Sequence, residues 1–324
     1  MTKSSLWRGV AALVVLFGPH SAASLNTAAG MVGADTDWPA FAVNPSAASL
    51  TATGIWLLLR NCRSAHGRAA RSAALGAAGL ALAGAVLLPF LDQAADTIAT
   101  LLLTGAGAWL CAQIAADAGA PLWRGRLSCE IFRRWNMDAV AACAVVFAGH
   151  TATMLLDDWI TQLGPAVADQ AAQADATGLH NPIWFAAQAL AAGIREEIPL
   201  LALPAALMAA ARRPPWQILT VVCLLRAIPH AYLGTPALTT VVFAGVAWWM
   251  YRATRRIGPI IVGHTLFNAI ALFNSPAAYV LLLAGPAVAA LLLAGAPNAA
   301  PAWLRKRPRD KPARSDHPAK GPVL

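Results

Sequence analysis

The chain has 324 residues, 58% of them hydrophobic and 12% charged, with mean hydropathy +0.56 and a net charge of +9. A soluble domain carries about 25% charged residues, so this composition argues against a water-soluble globule and for a polytopic membrane protein. Cys62, Cys111, Cys129, Cys143 and Cys223 are scattered without CxxC or metal-type spacing, which argues against a disulfide framework, and no Gly-rich phosphate loop is present.

In chain order, apolar segments able to span fall at about 8–24, 43–59, 72–91, 97–116, 137–156, 182–211, 216–233, 236–251, 257–274 and 278–296. The first, within "MTKSSLWRGVAALVVLFGPHSAAS", also has the basic start, short apolar core and small residues of a secretory signal. With the N-terminus in the cytoplasm and the spans alternating, 22 of the 24 Lys and Arg fall in cytoplasmic segments. The outer loops hold Asp35, Asp37, Asp92, Asp96, Asp157, Asp158, Asp169 and Asp175 and no basic residue. That is a positive-inside pattern, and it accounts for the basic charge without nucleic acid. It predicts a multi-pass protein of the cell membrane with both termini cytoplasmic. The tail "RKRPRDKPARSDHPAKGP" reads as a disordered basic end, serving either contact with anionic lipid headgroups or simply as an orientation signal and solubilising end.

The two basic residues left over, Arg195 and Arg226, lie within spans, and the ionisable groups of the later spans cluster. "GIREEIPLL" puts Arg195, Glu196 and Glu197 in one span. "LLRAIPHAYLG" puts Arg226 and His230 four residues apart in the next, and "VGHTLFNAI" does the same for His264 and Asn268. Residues four apart share a helix face, and charged groups cannot face lipid cheaply. The three helices are therefore expected to aim these side chains at one another. Such a cluster serves a structural polar core, a proton or ion path, or a hydrolytic site. For hydrolysis a carboxylate takes a proton from water, an imidazole orients the water or protonates the leaving group, and a His–Asn pair hydrogen-bonds an oxyanion.

Glu-Glu, then His, then His-x-x-x-Asn on successive spans resembles the CAAX protease and bacteriocin-processing family, whose motifs are EExxxR, FxxxH and HxxxN/D. The resemblance covers about residues 182–274. It implies an intramembrane glutamate-dependent endopeptidase without a metal cofactor, acting on a peptide or membrane-protein substrate. It implies that Glu196 activates water, Glu197 supports the site by bonding a histidine, His230 positions the water or assists proton transfer, and His264 and Asn268 form an oxyanion pocket. Two positions depart from the pattern: Leu201 stands where the motif has Arg, and Arg226 where it has Phe. The displaced guanidinium is expected to pair with Glu197 from the neighbouring helix. His230, Tyr232 and Gly234 fit a variant form R-x-x-x-H-x-Y-x-G, with Pro229 an unusual neighbour.

The expected architecture is thus an all-α transmembrane bundle of about ten spans. A variable part occupies 1–170, a catalytic core 171–296 and the basic tail 297–324. The alternatives are a non-catalytic relative acting as an immunity or scaffold protein, and a proton-coupled transporter.

Overall fold

The computed structural model describes residues 3–34, 45–63, 68–87, 93–122, scattered positions between 144 and 165, and 182–270. No strand forms among these residues. Four helices come first: α1 (Lys3–Met31), α2 (Pro45–Arg63), α3 (Arg68–Leu87) and α4 (Gln93–Asp117). The site-bearing half follows: α5 (Pro182–Glu196), a π turn (Glu197–Ala202), α6 (Leu203–Ala210), α7 (Pro215–Ala227), 3-10 segments Ile228–Leu233 and Thr235–Thr239, α8 (Thr240–Thr254) and α9 (Gly258–Ile270).

These helices are apolar on nearly every face, so propensity and amphipathicity say little about how they pack. Large apolar side chains such as Leu50, Leu57, Leu103, Leu110, Leu203 and Leu207 fill the interior. Others, including Trp7, Val14, Leu80, Val86, Ile183 and Leu224, point outward and are exposed. An apolar exterior of this extent suits lipid better than water. Two described stretches, Leu6–Met31 and Pro215–Leu233, are long and apolar enough to cross a membrane. Pro45–Leu59 and Leu75–Val86 are apolar but shorter. The expected spans at 278–296 and over much of 137–156 lie outside the described residues, as does the tail. The first segment is a single 29-residue helix, longer than the expected 8–24.

Few polar groups hold the helices in register. The Ser49 hydroxyl donates to the Leu16 carbonyl at 3.2 Å, tying α2 to α1, and Gln188 Nε2 donates to Thr97 Oγ1 at 3.3 Å, tying α5 to α4. Helix α5 also packs on α9. There Gly193 permits the approach: a Cβ at that position would meet Thr265 Oγ1 at 2.5 Å and the Ile261 carbonyl at 3.0 Å. Small residues commonly serve close helix contact in this way.

Candidate active site

The span expected to run unbroken over 182–211 is interrupted where the glutamates lie. Pro199 has no N–H and its ring crowds the carbonyl four residues back, so an α-helix cannot continue through it unaltered. The chain widens by a residue, and the Leu203 N–H donates to the Ile198 carbonyl, five residues back. Glu196 ends the α-helix and Glu197 opens the π turn. π turns recur at functional sites because they re-aim neighbouring side chains.

The next helix breaks for a similar reason. Beyond Ala227 it tightens to a 3-10 segment containing Pro229. In a 3-10 turn the carbonyl of Arg226 would receive the N–H of residue 229, which proline lacks. The imidazole of His230 takes that place, its Nδ1 lying 2.7 Å from the Arg226 carbonyl. A carbonyl only accepts, so Nδ1 carries the proton and Nε2 keeps its lone pair in the neutral ring. Gly234 then turns the chain with φ +76°, a conformation suited to glycine, before the second 3-10 segment.

Arg226 is the hub of the cluster. Its Nη2 lies 2.6 Å from Glu197 Oε1 and its Nη1 3.1 Å from Glu196 Oε2. His264 Nδ1 donates to the same Glu197 oxygen at 2.7 Å. That oxygen can only accept, so the 3.3 Å approach of Arg226 Nη2 to His264 Nδ1 is a close pass between two donors. On the other side, His230 Nε2 lies 3.5 Å from Glu196 Oε2. One guanidinium thus joins two Glu–His pairs. The inner pair is sealed, with side-chain exposures of 1% for Glu197 and 4% for His264. The outer pair is more open, with 13% for Glu196 and 19% for His230.

Aromatic rings complete the packing. The guanidinium carbon of Arg226 lies 4.5 Å from the centroid of the Phe243 ring, which meets His264 edge-on at 5.3 Å. Tyr232 stacks on His230 with ring centroids 6.3 Å apart. The Tyr232 backbone N–H donates to Ser24 Oγ of α1 at 2.8 Å.

The two departures from the family motif meet in space. Leu201 and Arg226 line the same small cavity, together with Glu197 and Phe243. The guanidinium is supplied from α7 and the aromatic ring from α8. The expected Arg226–Glu197 pair is present, and Arg226 reaches Glu196 as well. Asn268 lies one turn beyond His264 on α9, half-buried, with no hydrogen bond to a described residue. Arg195 stands apart: among the described residues it has no hydrogen bond or ion pair, and its Nε is buried without a partner. Reading the sequence missed Phe243 and Ser24. Neither belongs to a motif, and both are brought in by packing across helices.

Residues 178–270 match the family model for type II CAAX prenyl endopeptidase Rce1-like proteins. The match contains Glu196, Glu197, Arg226, His230, His264 and Asn268. No curated protein and no solved structure matches the chain.

Proposed function

We propose, from the premise that residues 178–270 belong to the Rce1-like family of membrane-embedded endopeptidases, that this chain hydrolyses a peptide bond within the membrane using a water activated by Glu196. The observation that carries the reading is the open Glu196–His230 pair, backed by a sealed Glu197–His264 pair through one guanidinium. Glu196 Oε2 is engaged by Arg226, while Oε1 has no hydrogen-bond partner among the described residues and is available to water. The water attacks the scissile carbonyl carbon and gives a proton to Glu196. The C–N bond then breaks as that proton passes to the leaving amine, directly or by way of the His230 Nε2 lone pair.

The oxyanion role divides unevenly between the two residues first assigned to it. His264 Nδ1 is committed to Glu197, and a neutral ring has no second N–H to offer. The Asn268 amide is the better donor, and His264 contributes through Nε2 only when the ring is protonated. Glu197 acts mainly by fixing His264 and Arg226.

The reaction is proposed to be independent of metal. A divalent cation on Glu196 would face the Arg226 guanidinium, already 3.1 Å from the carboxylate oxygen. Stoichiometric zinc in purified protein, or activity lost to phenanthroline and restored by zinc, would reverse that part of the reading. A second reading, a non-catalytic membrane scaffold, is favoured by one fact: Arg226 engages both glutamates at once. Membranes carrying wild type or Glu196→Gln separate the two. A protease leaves an uncut peptide in the variant; a scaffold leaves the two peptide profiles identical.

A further inference from the structure

The turns that close α6 and α8 are each built on an arginine in the left-handed conformation: Arg212 with φ +56° and Arg255 with φ +55°, the only such non-glycine residues among those described. In the first turn the Arg212 and Arg213 N–H groups donate to the Ala209 and Met208 carbonyls at 3.0 and 2.9 Å. Glycine usually fills this position past a helix end, because a Cβ is strained there. The turns alone therefore do not call for arginine. The two turns also lie side by side. Helix α7 packs on α8, where Cys223 Sγ lies 3.8 Å from the Val241 carbonyl and a Cβ at Gly245 would meet Leu219 Cδ1 at 3.9 Å. Residue 223 thus faces 241, and 219 faces 245, one register of an antiparallel pair. Carried to the start of α7, that register sets Trp216 level with Trp248 and the Arg212–Arg213 turn level with Arg252. The guanidinium carbons of Arg252 and Arg255 sit 5.4 and 5.1 Å from the ring centroids of Trp248 and Tyr251, and Arg255 Nη2 donates to the Pro121 carbonyl at 3.4 Å. With Arg213 and Arg256, both exposed, five arginines share this end of the bundle. The ion pairs among the described residues go to Arg8, Arg226 and two histidines, and none to these five.

We propose that the arginines of these two turns hold the headgroup phosphate of an anionic phospholipid, whose acyl chains lie along the outward face of α7 and α8. The other segments expected on this side of the membrane do not supply the counter-charge. Residues 123–138 carry four basic and two acidic residues, and residues 297–324 carry seven and two. The place is a bilayer boundary, since the apolar stretch Pro215–Leu233, long enough to cross a membrane, starts directly after Arg212 and Arg213. Tryptophan is favoured at that level, and Trp216 and Trp249 are both exposed there. Beyond Trp216, Thr220 and Leu224 continue an exposed row four residues apart on α7, while Val242 and Trp249 are exposed on α8. At about 100° per residue both rows are displaced in the same sense from the contact line through Leu219, Cys223, Val241 and Gly245. In an antiparallel pair they therefore open on one side and form a path for chains beneath the arginines. A guanidinium matches a phosphate with paired charge-assisted hydrogen bonds. A zwitterionic headgroup brings its own ammonium to the basic rim and is disfavoured.

The experiment titrates the full chain in detergent with phosphatidylglycerol or phosphatidylcholine, reads bound lipid by native mass spectrometry, and follows thermal unfolding in nanodiscs of either lipid. Wild type should bind phosphatidylglycerol more tightly by about tenfold or more and unfold at a higher temperature in its presence. Arg212→Gly removes a charge and relieves the backbone, so Tm in phosphatidylcholine should hold or rise. Its affinity for phosphatidylglycerol should nevertheless fall about fivefold, the worth of one basic residue at a membrane surface. Arg252→Gln should add a comparable loss. Trp216→Ala should weaken long-chain more than short-chain phosphatidylglycerol. Exchanging Arg305, Lys306 and Arg307 of the tail for Gln should cost less than Arg212→Gly with Arg252→Gln. An unchanged preference for phosphatidylglycerol in that double variant overturns the proposal, as does a larger loss from the tail exchange. Equal competition by glycerol phosphate, the headgroup without chains, would make this a soluble-phosphate site and also overturn it. A fall in Tm of Arg212→Gly in phosphatidylcholine would show that the arginine serves the turn and remove the argument for its charge.

Discussion

The two halves of the site are built from the same parts and placed at different depths. The inner pair, Glu197 and His264, is closed off by Arg226 and Phe243, with two short hydrogen bonds converging on Glu197 Oε1. The outer pair, Glu196 and His230, shares the same guanidinium but keeps a longer contact and more exposure. A buried carboxylate sealed from water can do little chemistry, even though Glu197 Oε2 has no hydrogen-bond partner among the described residues. A partly open one retains a lone pair and a route for water. On the proposed reading the inner pair is structural and the outer one reactive, and each substitution below either sharpens that division or breaks it.

The largest expected effect is on turnover. Glu196→Gln keeps the shape and removes the base, and loss of a general base typically costs about 10²–10⁴-fold in rate. Thermal unfolding should change little, since Arg226 retains Glu197. Full activity of this variant on an identified substrate would break the division outright.

At the inner pair the loss should appear in stability. Removing one member of a buried, bonded ion pair typically costs about 3–5 kcal/mol. Glu197→Gln and Arg226→Met should each lower the unfolding temperature markedly, and the double variant should be milder than the two effects added. A thermal double-mutant cycle with no coupling between 226 and 197 would remove the inner pair from the account.

Gly193→Ala tests the floor on which both pairs rest. The added methyl would press on Thr265 Oγ1 and the Ile261 carbonyl, shifting α9 and with it His264. Overpacking of this kind usually costs about 1–3 kcal/mol. Activity and stability should fall together, and a variant with unchanged Tm and rate would show that α9 is not held by this contact.

Ser24→Ala should have the smallest effect. It leaves the Tyr232 N–H without its acceptor, at a typical cost of about 1–3 kcal/mol if the group stays dry. The consequence should be a several-fold fall in kcat with little change in KM, because the outer pair is disturbed and the substrate contacts are not. Ser24→Thr, which keeps the hydroxyl, should restore most of the rate. Equal kinetics for wild type and Ser24→Ala would detach α1 from the outer pair.

Much of the site was legible because helical spacing is local. His264 and Asn268 lie four apart on α9, which places that pair on one face; Arg226 and His230 are also four apart, but the helix tightens after Ala227 and His230 reaches the cluster from a 3-10 segment. The need to keep charge from lipid then makes three helices face inward. The all-α class followed from composition in the same way. What was not legible depends on geometry between helices. The π turn at Pro199 changes the direction of two adjacent glutamates, and no periodicity announces it. Arg226 reaches both carboxylates only because of that turn and the packing of α7 on it. Phe243 replaces an aromatic residue expected on another helix, and Ser24 lies 208 positions before its partner Tyr232. Asn268 shares a face with His264 yet makes none of the cluster's bonds, a reminder that a shared face is not a shared contact.

The Ser24–Tyr232 hydrogen bond has a mechanical side. Helix α1, with 29 residues, is about 44 Å long, whereas the hydrocarbon core of a bilayer is about 30 Å thick. A helix with that excess relieves mismatch partly by tilting, and its tilt follows membrane thickness. Because the far part of α1 grips the segment that carries His230, a change in tilt is transmitted to the imidazole. If the site is hydrolytic as proposed, the acyl-chain length of the surrounding lipid would bear on its geometry, at the outer pair before the sealed one.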